Sequence, residues 1–328
     1  MSRFKDLVDA SRAANPTASE DIIGKAILQA QAISSLDSSG LLDDAGLQGG
    51  SSIAGCYGGI RLSEDLDFVT LETIPPALAS AFCDDLVSRA ADELGIEVSV
   101  KPPKDLDAEV VRWQIRAKTE EGRPDLPLLR VKVEAARIPH YTADVRAFEN
   151  PALASASLVP PLVTVETPEE IIADKVVSFT MTPSHIRYRD LFDIDFLMHS
   201  FAIGIDDVTE MVGKKLADYG FDDVPERLSA VAEKIAGQSL ADELESRLDG
   251  MLVGPSAEAV ASDRRRIRAS VSSSIALINR VLASIGISEH SIVDASDPRS
   301  PMHANLKEAK EALGSCGSAG KPKKGPSY

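Results

Sequence analysis

Transfer of a phosphoryl-type group makes two demands, and two short stretches of this chain answer them: Gly49-Gly50-Ser51-Ser52 and Arg61-Leu62-Ser63-Glu64-Asp65-Leu66-Asp67-Phe68. A glycine-rich turn at a helix N-terminus presents free backbone N–H groups, and the positive end of the helix dipole, to phosphate oxygens. Carboxylates hold Mg²⁺, which bridges phosphate oxygens and neutralises developing charge. Asp65 and Asp67 stand at i and i+2, so on a strand both point to one face, with Glu64 and Leu66 on the other. A third acid should come from a neighbouring strand of the same sheet. Glu134, closing the alternation Arg130/Lys132/Glu134, is the candidate. Three acids there would repel one another without a divalent cation between them, so the pattern calls for Mg²⁺ on Asp65, Asp67 and Glu134. A D-x-D or a Gly-Gly-Ser turn alone carries little information; their order within one strand–turn–helix–strand unit carries much more.

The surrounding pattern supplies such a unit. Thr17-Ala-Ser-Glu20 reads as a capping box before a helix carrying Ile22, Ile23, Ala26, Ile27, Ala30 and Ile33. A short strand at Leu47-Gln48, broken by Gly49-Gly50, a helix over 51–57, a Gly58-Gly59 turn and a strand over 66–71 follow. Pro75-Pro76 opens a helix that Gly95 closes. Residues 97–100, 110–117 and 128–135 read as strands, the last two alternating charged and apolar positions as a half-exposed sheet does. After the connection Val159-Pro160-Pro161 the expected helices span 168–180, 188–201, 206–218, 225–236, 239–250 and 258–285. The expected architecture is α/β (α+β): a core domain over 1–160 with a small mixed sheet flanked by helices, a mainly helical domain over 161–293, and a disordered Ser-, Pro-, Gly- and Lys-rich tail over 294–328.

Composition limits the alternatives. The 44% hydrophobic and 26% charged fractions are those of an ordinary globular protein. No apolar run approaches the roughly 20 residues of a membrane span, and the first residues lack a signal peptide's apolar centre. Cys56, Cys83 and Cys316 are too far apart for a zinc cage or a disulfide framework. These features point to a cytoplasmic protein with no membrane partner. The net charge of −16 argues against a general nucleic-acid coat but leaves room for a local basic cleft.

The run GGSSIAGCYGGIRLSEDLDF resembles the first motif of the AbiEii/AbiGii (MenT-like) toxin family, within the polymerase-β-like nucleotidyltransferase superfamily. Glu169-Glu170-Ile171-Ile172-Ala173-Asp174-Lys175, followed by Arg187-Tyr188-Arg189-Asp190-Leu191-Phe192-Asp193, resembles its downstream signature. The likeness covers roughly residues 45–200. It implies a nucleotidyltransferase fold and a toxin of a toxin–antitoxin or phage-defence system, with an NTP as substrate, Mg²⁺ as cofactor, a cognate antitoxin as partner and a tRNA 3′ end as acceptor. Under it Gly50 and Ser51 would cradle the triphosphate, with Arg61 beside them. Asp65 and Asp67 would hold Mg²⁺, Lys175 would contact phosphates, and Asp190 or Asp193 would orient Lys175 or assist the acceptor hydroxyl. The chain departs from its relatives in having Glu134, followed by Ala-Ala-Arg, where Asp is common. The other readings are a protein or small-molecule acceptor, or a nucleotide-binding regulator without turnover.

Taken by position alone, Lys175 reads as a lysine reaching from the edge of an apolar stripe to solvent. Arg189 and Asp193 read as a surface i,i+4 ion pair, leaving Asp190 without a local partner. The stretch 112–137 carries Arg112, Arg116, Lys118, Arg123, Arg130, Lys132 and Arg137 against four acids, Glu120, Glu121, Asp125 and Glu134. It is either a polyanion-binding groove or a solvated strand face. Arg264-Arg265-Arg266 with Arg268 reads as the polar side of a helix, Lys321, Lys323 and Lys324 as a solvating terminus, and Ser63 as a turn hydroxyl that could also accept a phosphate. His140, His185, His199, His290 and His303 show no metal-ligand spacing.

Overall fold

A computed structural model describes residues 2–41, 43, 45–119, 127–153, 160–287 and 292–294. The expected tail therefore lies outside the described residues except for Asp294, as do Cys316, His290, His303, Arg123, Glu120, Glu121, Asp125 and the terminal lysines. Asp294 itself is buried, and its carboxylate accepts from the Leu240 N–H at 3.4 Å.

Helix α1 (Arg3–Ala14) precedes α2 (Glu20–Ser39), a long, largely buried helix of the core half, with Ile22, Ile23, Ala26 and Ile27 inside. Its cap differs from the expected one. Ser19 accepts from the Ile22 N–H, while the Thr17 hydroxyl donates to the Leu252 carbonyl at 2.9 Å. Strand β1 (Gly46–Gln48) runs directly into α3 (Gly49–Cys56), so the glycine pair opens the helix rather than separating it from the strand. Next come β2 (Leu66–Val69) and α4 (Pro76–Arg89), continued by a π-turn over Ala90–Leu94 and stopped at Gly95, with φ 65°. Strands β3 (Glu97–Lys101), β4 (Val110–Lys118) and β5 (Leu129–Ala136) fall where alternation placed them.

Two further strands were not expected, β6 (Ala143–Ala147) and β7 (Leu162–Glu166). They complete a seven-stranded mixed sheet in the order β3-β4-β5-β2-β1-β7-β6. The pairs β2–β5 and β1–β7 are parallel and the rest antiparallel. Its β3–β5 part buries Val111, Trp113, Ile115, Val131 and Val133 against α2 and α4, with Trp113 edge-on to Phe82. Strand β7 follows residue 160, so the sheet runs past the expected end of the core domain.

The helical part contains α5 (Pro168–Met181), α6 (Tyr188–Ser200), α7 (Ile205–Asp218), α8 (Val224–Ile235), α9 (Leu240–Leu248), α10 (Ala257–Ser262) and α11 (Arg264–Ser284). The single helix expected over 258–285 is divided at Asp263, whose side chain accepts from the Arg265 N–H and caps α11. Helix α5 touches the sheet side through α3 and packs on α6, α7 and α8. Lys215 of α7, fully buried, joins Glu166 of β7 at 3.0 Å and Glu170 and Asp174 of α5 at 2.7 and 3.1 Å.

Candidate active site

The turn from β1 into α3 is tight for a reason visible in its neighbours. Gly49 has φ 76°, and a Cβ there would lie 3.0 Å from the Asp67 Oδ2. A Cβ on Gly50 would collide with the Arg61 guanidinium and sit 3.1 Å from the Ser63 hydroxyl. Glycine at both positions lets the turn approach the acidic segment. Helix α3 begins without a side-chain cap, so its first N–H groups are left to a ligand or water. Ser51 is buried, and its hydroxyl is directed to the Gln48 carbonyl at 3.5 Å; Ser52 donates to the Gly49 carbonyl at 2.8 Å. What the turn offers is backbone, not hydroxyl.

Asp67 lies mid-sheet, opposite Gln48 of β1 on one side and Glu134 of β5 on the other. Asp65 comes just before β2 and accepts both the Lys132 backbone N–H at 3.0 Å and its ammonium at 2.9 Å. Glu134 is held by Arg112 at 2.6 Å. Outside the strand ladder, the Asp67 carboxylate accepts no hydrogen bond among the described residues. Burial, then the negative charges of Glu134 and Asp65, push its pKa up to about 6, against the opposing influence of Arg187 and Lys175. Among the described residues, no three His, Cys, Asp or Glu side chains converge closely enough to hold a metal by themselves. Glu134 shares the register of Asp67, and its carboxylate accepts from Arg112.

Behind the acids lies a second layer. Lys175 of α5 is 4% exposed and ion-paired to Asp190 at 3.1 Å and Asp193 at 2.8 Å, both on α6. It is not a lysine reaching for solvent. Arg61 forms a two-pronged pair with Asp193, at 2.7 and 2.6 Å. Burial alone would raise the Asp193 pKa, but the Arg61 and Lys175 charges outweigh it and hold the carboxyl below the ordinary range. Asp193 thus has no surface partner in Arg189, which bonds instead to Glu64 at 3.0 Å. Asp190 does have local partners: it accepts from Ser178 at 2.5 Å and from Arg187 at 3.2 Å. Glu64, expected to face away, stands at the cleft rim between Lys25 and Arg189, whose hydrogen bonds overcome the effect of burial and lower its pKa.

One cleft of about 470 Å³ unites these groups, with Gly50, Asp65, Asp67, Glu134, Lys175 and Asp190 all on its wall. Arg61 lines it as well, while Ser51 and Asp193 do not. Sequence reasoning set Lys132 among the basic residues of 112–137 and quoted Arg187 within the downstream motif, but gave neither a place beside the acids. Lys132 stands two positions before Glu134 and so shares its face. Arg187 stands three positions before Asp190, an i,i+3 relation on offer in the sequence. His185 also lines the cleft but joins no group of metal ligands among the described residues.

The donor set suits Mg²⁺, a hard cation usually bound by one or two carboxylates with water and phosphate oxygens completing the shell. The partly buried Asp67 carboxylate, flanked by two acids and accepting no hydrogen bond, is the observation that fits such an ion. The fold has solved counterparts. MenT4, a nucleotidyltransferase toxin from Mycobacterium tuberculosis H37Rv, is 21% identical, with 94% of this chain and 98% of that chain covered and a TM-score of 0.58. JHP933 from Helicobacter pylori is 19% identical, covering 91% of this chain and 99% of its own, with a TM-score of 0.47. No curated protein matches the chain. Residues 31–268 match the family described as "Nucleotidyl transferase AbiEii toxin, Type IV TA system". Arrived at from the motifs, the fold and this match, the chain belongs to the AbiEii family of nucleotidyltransferase toxins.

Proposed function

We propose that the chain transfers a nucleoside monophosphate from an NTP to an acceptor hydroxyl at a tRNA 3′ end, and that its toxicity is controlled by a cognate antitoxin. The acceptor oxygen forms a bond to the α-phosphorus as the bond to the β-phosphate oxygen breaks. Pyrophosphate leaves, and the hydroxyl proton passes to solvent. The observation that carries this reading is the meeting of Asp65, Asp67, Lys175 and the Gly50 turn on one cleft wall.

Each side chain has a separable task. Asp65 and Asp67, with Glu134 alongside, would hold Mg²⁺. Bound there, the ion would neutralise charge developing on the phosphate oxygens and make the acceptor hydroxyl more acidic. The Gly50 turn grips phosphate through backbone N–H groups. Lys175 meets phosphate in the same cleft, its direction fixed by Asp190 and Asp193. Arg61 braces Asp193, and the spare guanidinium nitrogens of Arg187 offer further donors to the triphosphate. The contribution is positioning and charge rather than covalent chemistry.

The test is incubation of the chain with each radiolabelled triphosphate, Mg²⁺ and total RNA, resolved on a gel. Label should enter a tRNA-sized band for wild type and fail to enter it for Asp65→Ala. Transfer by that variant at the wild-type rate refutes the assignment.

A further inference from the structure

We propose that the solvent-facing side of β3, β4 and β5 docks the phosphate backbone of the acceptor RNA, delivering it to the acids from the β5 side while the triphosphate is held between the Gly50 turn and the helical side. This rests on the transfer reading above but concerns a different surface.

The register assembles the face. Arg112 lies opposite Glu134, Gln114 opposite Lys132, and Arg116 opposite Arg130, while Lys101 of β3 lies opposite Gln114. Cross-strand partners project to the same side, so Lys101, Arg112, Arg116, Arg130 and Lys132 share one surface. The other surface of these strands is the buried one carrying Trp113 and Val131, so the cations are not needed to build the core. Such a concentration stands out in a chain of net charge −16.

Two details separate this from an ordinary solvated strand face. Arg116 and Arg130 are directly opposed, a like-charge arrangement that destabilises a strand pair. Nor does Arg116 settle on an acid: its guanidinium donates to the Gln114 side-chain oxygen at 3.1 and 2.6 Å. An anion lying across the two arginines relieves that repulsion. The face is also continuous with the cleft. Glu134, Lys132 and Arg130 follow at steps of about 6.6–6.8 Å along β5, and Lys132 and Glu134 line the cleft wall. A phosphate backbone crossing Arg116 and Arg130 would therefore reach Asp67 from the β5 side. The triphosphate cations Lys175 and Arg187 lie on and before the helices α5 and α6.

The test uses the full chain and a fluorescent stem-loop RNA with a single-stranded 3′ end, followed by anisotropy over a KCl series. Wild type should bind with a steep salt dependence. Arg116→Glu and the double variant R116E/R130E should weaken binding at least tenfold, lowering the salt slope by about one for each phosphate no longer neutralised. Triphosphate binding should not change. Arg116→Glu should melt no lower than wild type, because it sets a carboxylate opposite Arg130. Wild-type affinity in both variants overturns the proposal. So does a wild-type preference for polyglutamate over RNA, which would mark the face as a dock for an acidic protein. Wild type that binds RNA through these arginines yet transfers nothing leaves the face standing and removes the transfer reading. Equal transfer to RNA by wild type and R116E/R130E does the reverse.

Discussion

Asp67 keeps a negative charge in a place that disfavours it, and that cost separates function from stability. Its pKa of about 6 lies above the ordinary aspartate value because of burial and then Glu134 and Asp65. Between about pH 4 and pH 6 the folded chain keeps a proton the unfolded chain has released, so stability falls as pH rises through that window and stays lower above it. Asp67→Asn should therefore abolish nucleotide transfer yet raise stability at neutral pH, without metal, by ~1–3 kcal/mol. Its melting temperature should also lose the decline between pH 4 and 6. A lower melting temperature than wild type at pH 7 would contradict the account. Asp65→Ala should behave differently. Its partner Lys132 is 45% exposed, so losing the pair costs about 1 kcal/mol or less while transfer disappears. Asp193 is the opposite case. Asp193→Ala strands Arg61 in the interior, leaves Lys175 with Asp190 alone, and should cost about 3–5 kcal/mol, read by chemical denaturation.

Between elements, the firmest tie of sheet to helices is Lys215 of α7 among Glu166, Glu170 and Asp174. One cation among three carboxylates forces a proton onto the group: burial first, then the charge of Asp174, raises the Glu166 pKa well above its ordinary value. The sign follows as for Asp67, so the stability from protonated Glu166 is lost as pH rises through its folded pKa. Glu166→Gln should remove the decline in melting temperature that accompanies titration of Glu166, whereas Lys215→Met, which leaves three acids without their shared cation, should destabilise by at least about 3–5 kcal/mol. An unchanged pH profile of melting temperature in Glu166→Gln would show that another group sets it. This clamp also shows where sequence reading stops. Long periodic segments such as α2, α5 and β4 declared themselves through apolar spacing, and Asp65, Asp67 and Glu134 through alternation. Strand β6, Ala-Asp-Val-Arg-Ala, does alternate, but over only five residues with two alanines among its apolar positions and Val145 exposed, and β7 followed a proline pair that read as a connection. The partners of Lys175, Arg61 and Lys215 are set by tertiary packing across 15, 132 and 49 residues, which no local period reveals.

The molecule as a whole shows why the cleft cannot be cut from its surroundings. The Gly50 turn and the acids come from the sheet half, and Lys175, Arg187 and Asp190 from the helical half, so the cleft wall exists only where the two meet. The sheet itself depends on that continuity. Strand β7 lies between β1 and β6, and β1 carries the chain into the Gly49-Gly50 turn. A fragment ending at residue 160 would lack β7, leaving β1 with an unpaired edge and β6 with no neighbour in the sheet. It would also lose α5, whose own Ile171, Val176 and Phe179 are each fully buried, and with them the apolar packing they supply. Burying one such side chain contributes about 1.5–3 kcal/mol, and a domain's whole margin is about 5–15 kcal/mol. The 1–160 fragment should therefore show no cooperative thermal transition by circular dichroism, whereas 1–287, which keeps every strand and α5–α11, should melt cooperatively and retain transfer. A folded 1–160 fragment would show that the sheet half closes its own core, making the cleft a seam between two independently stable units.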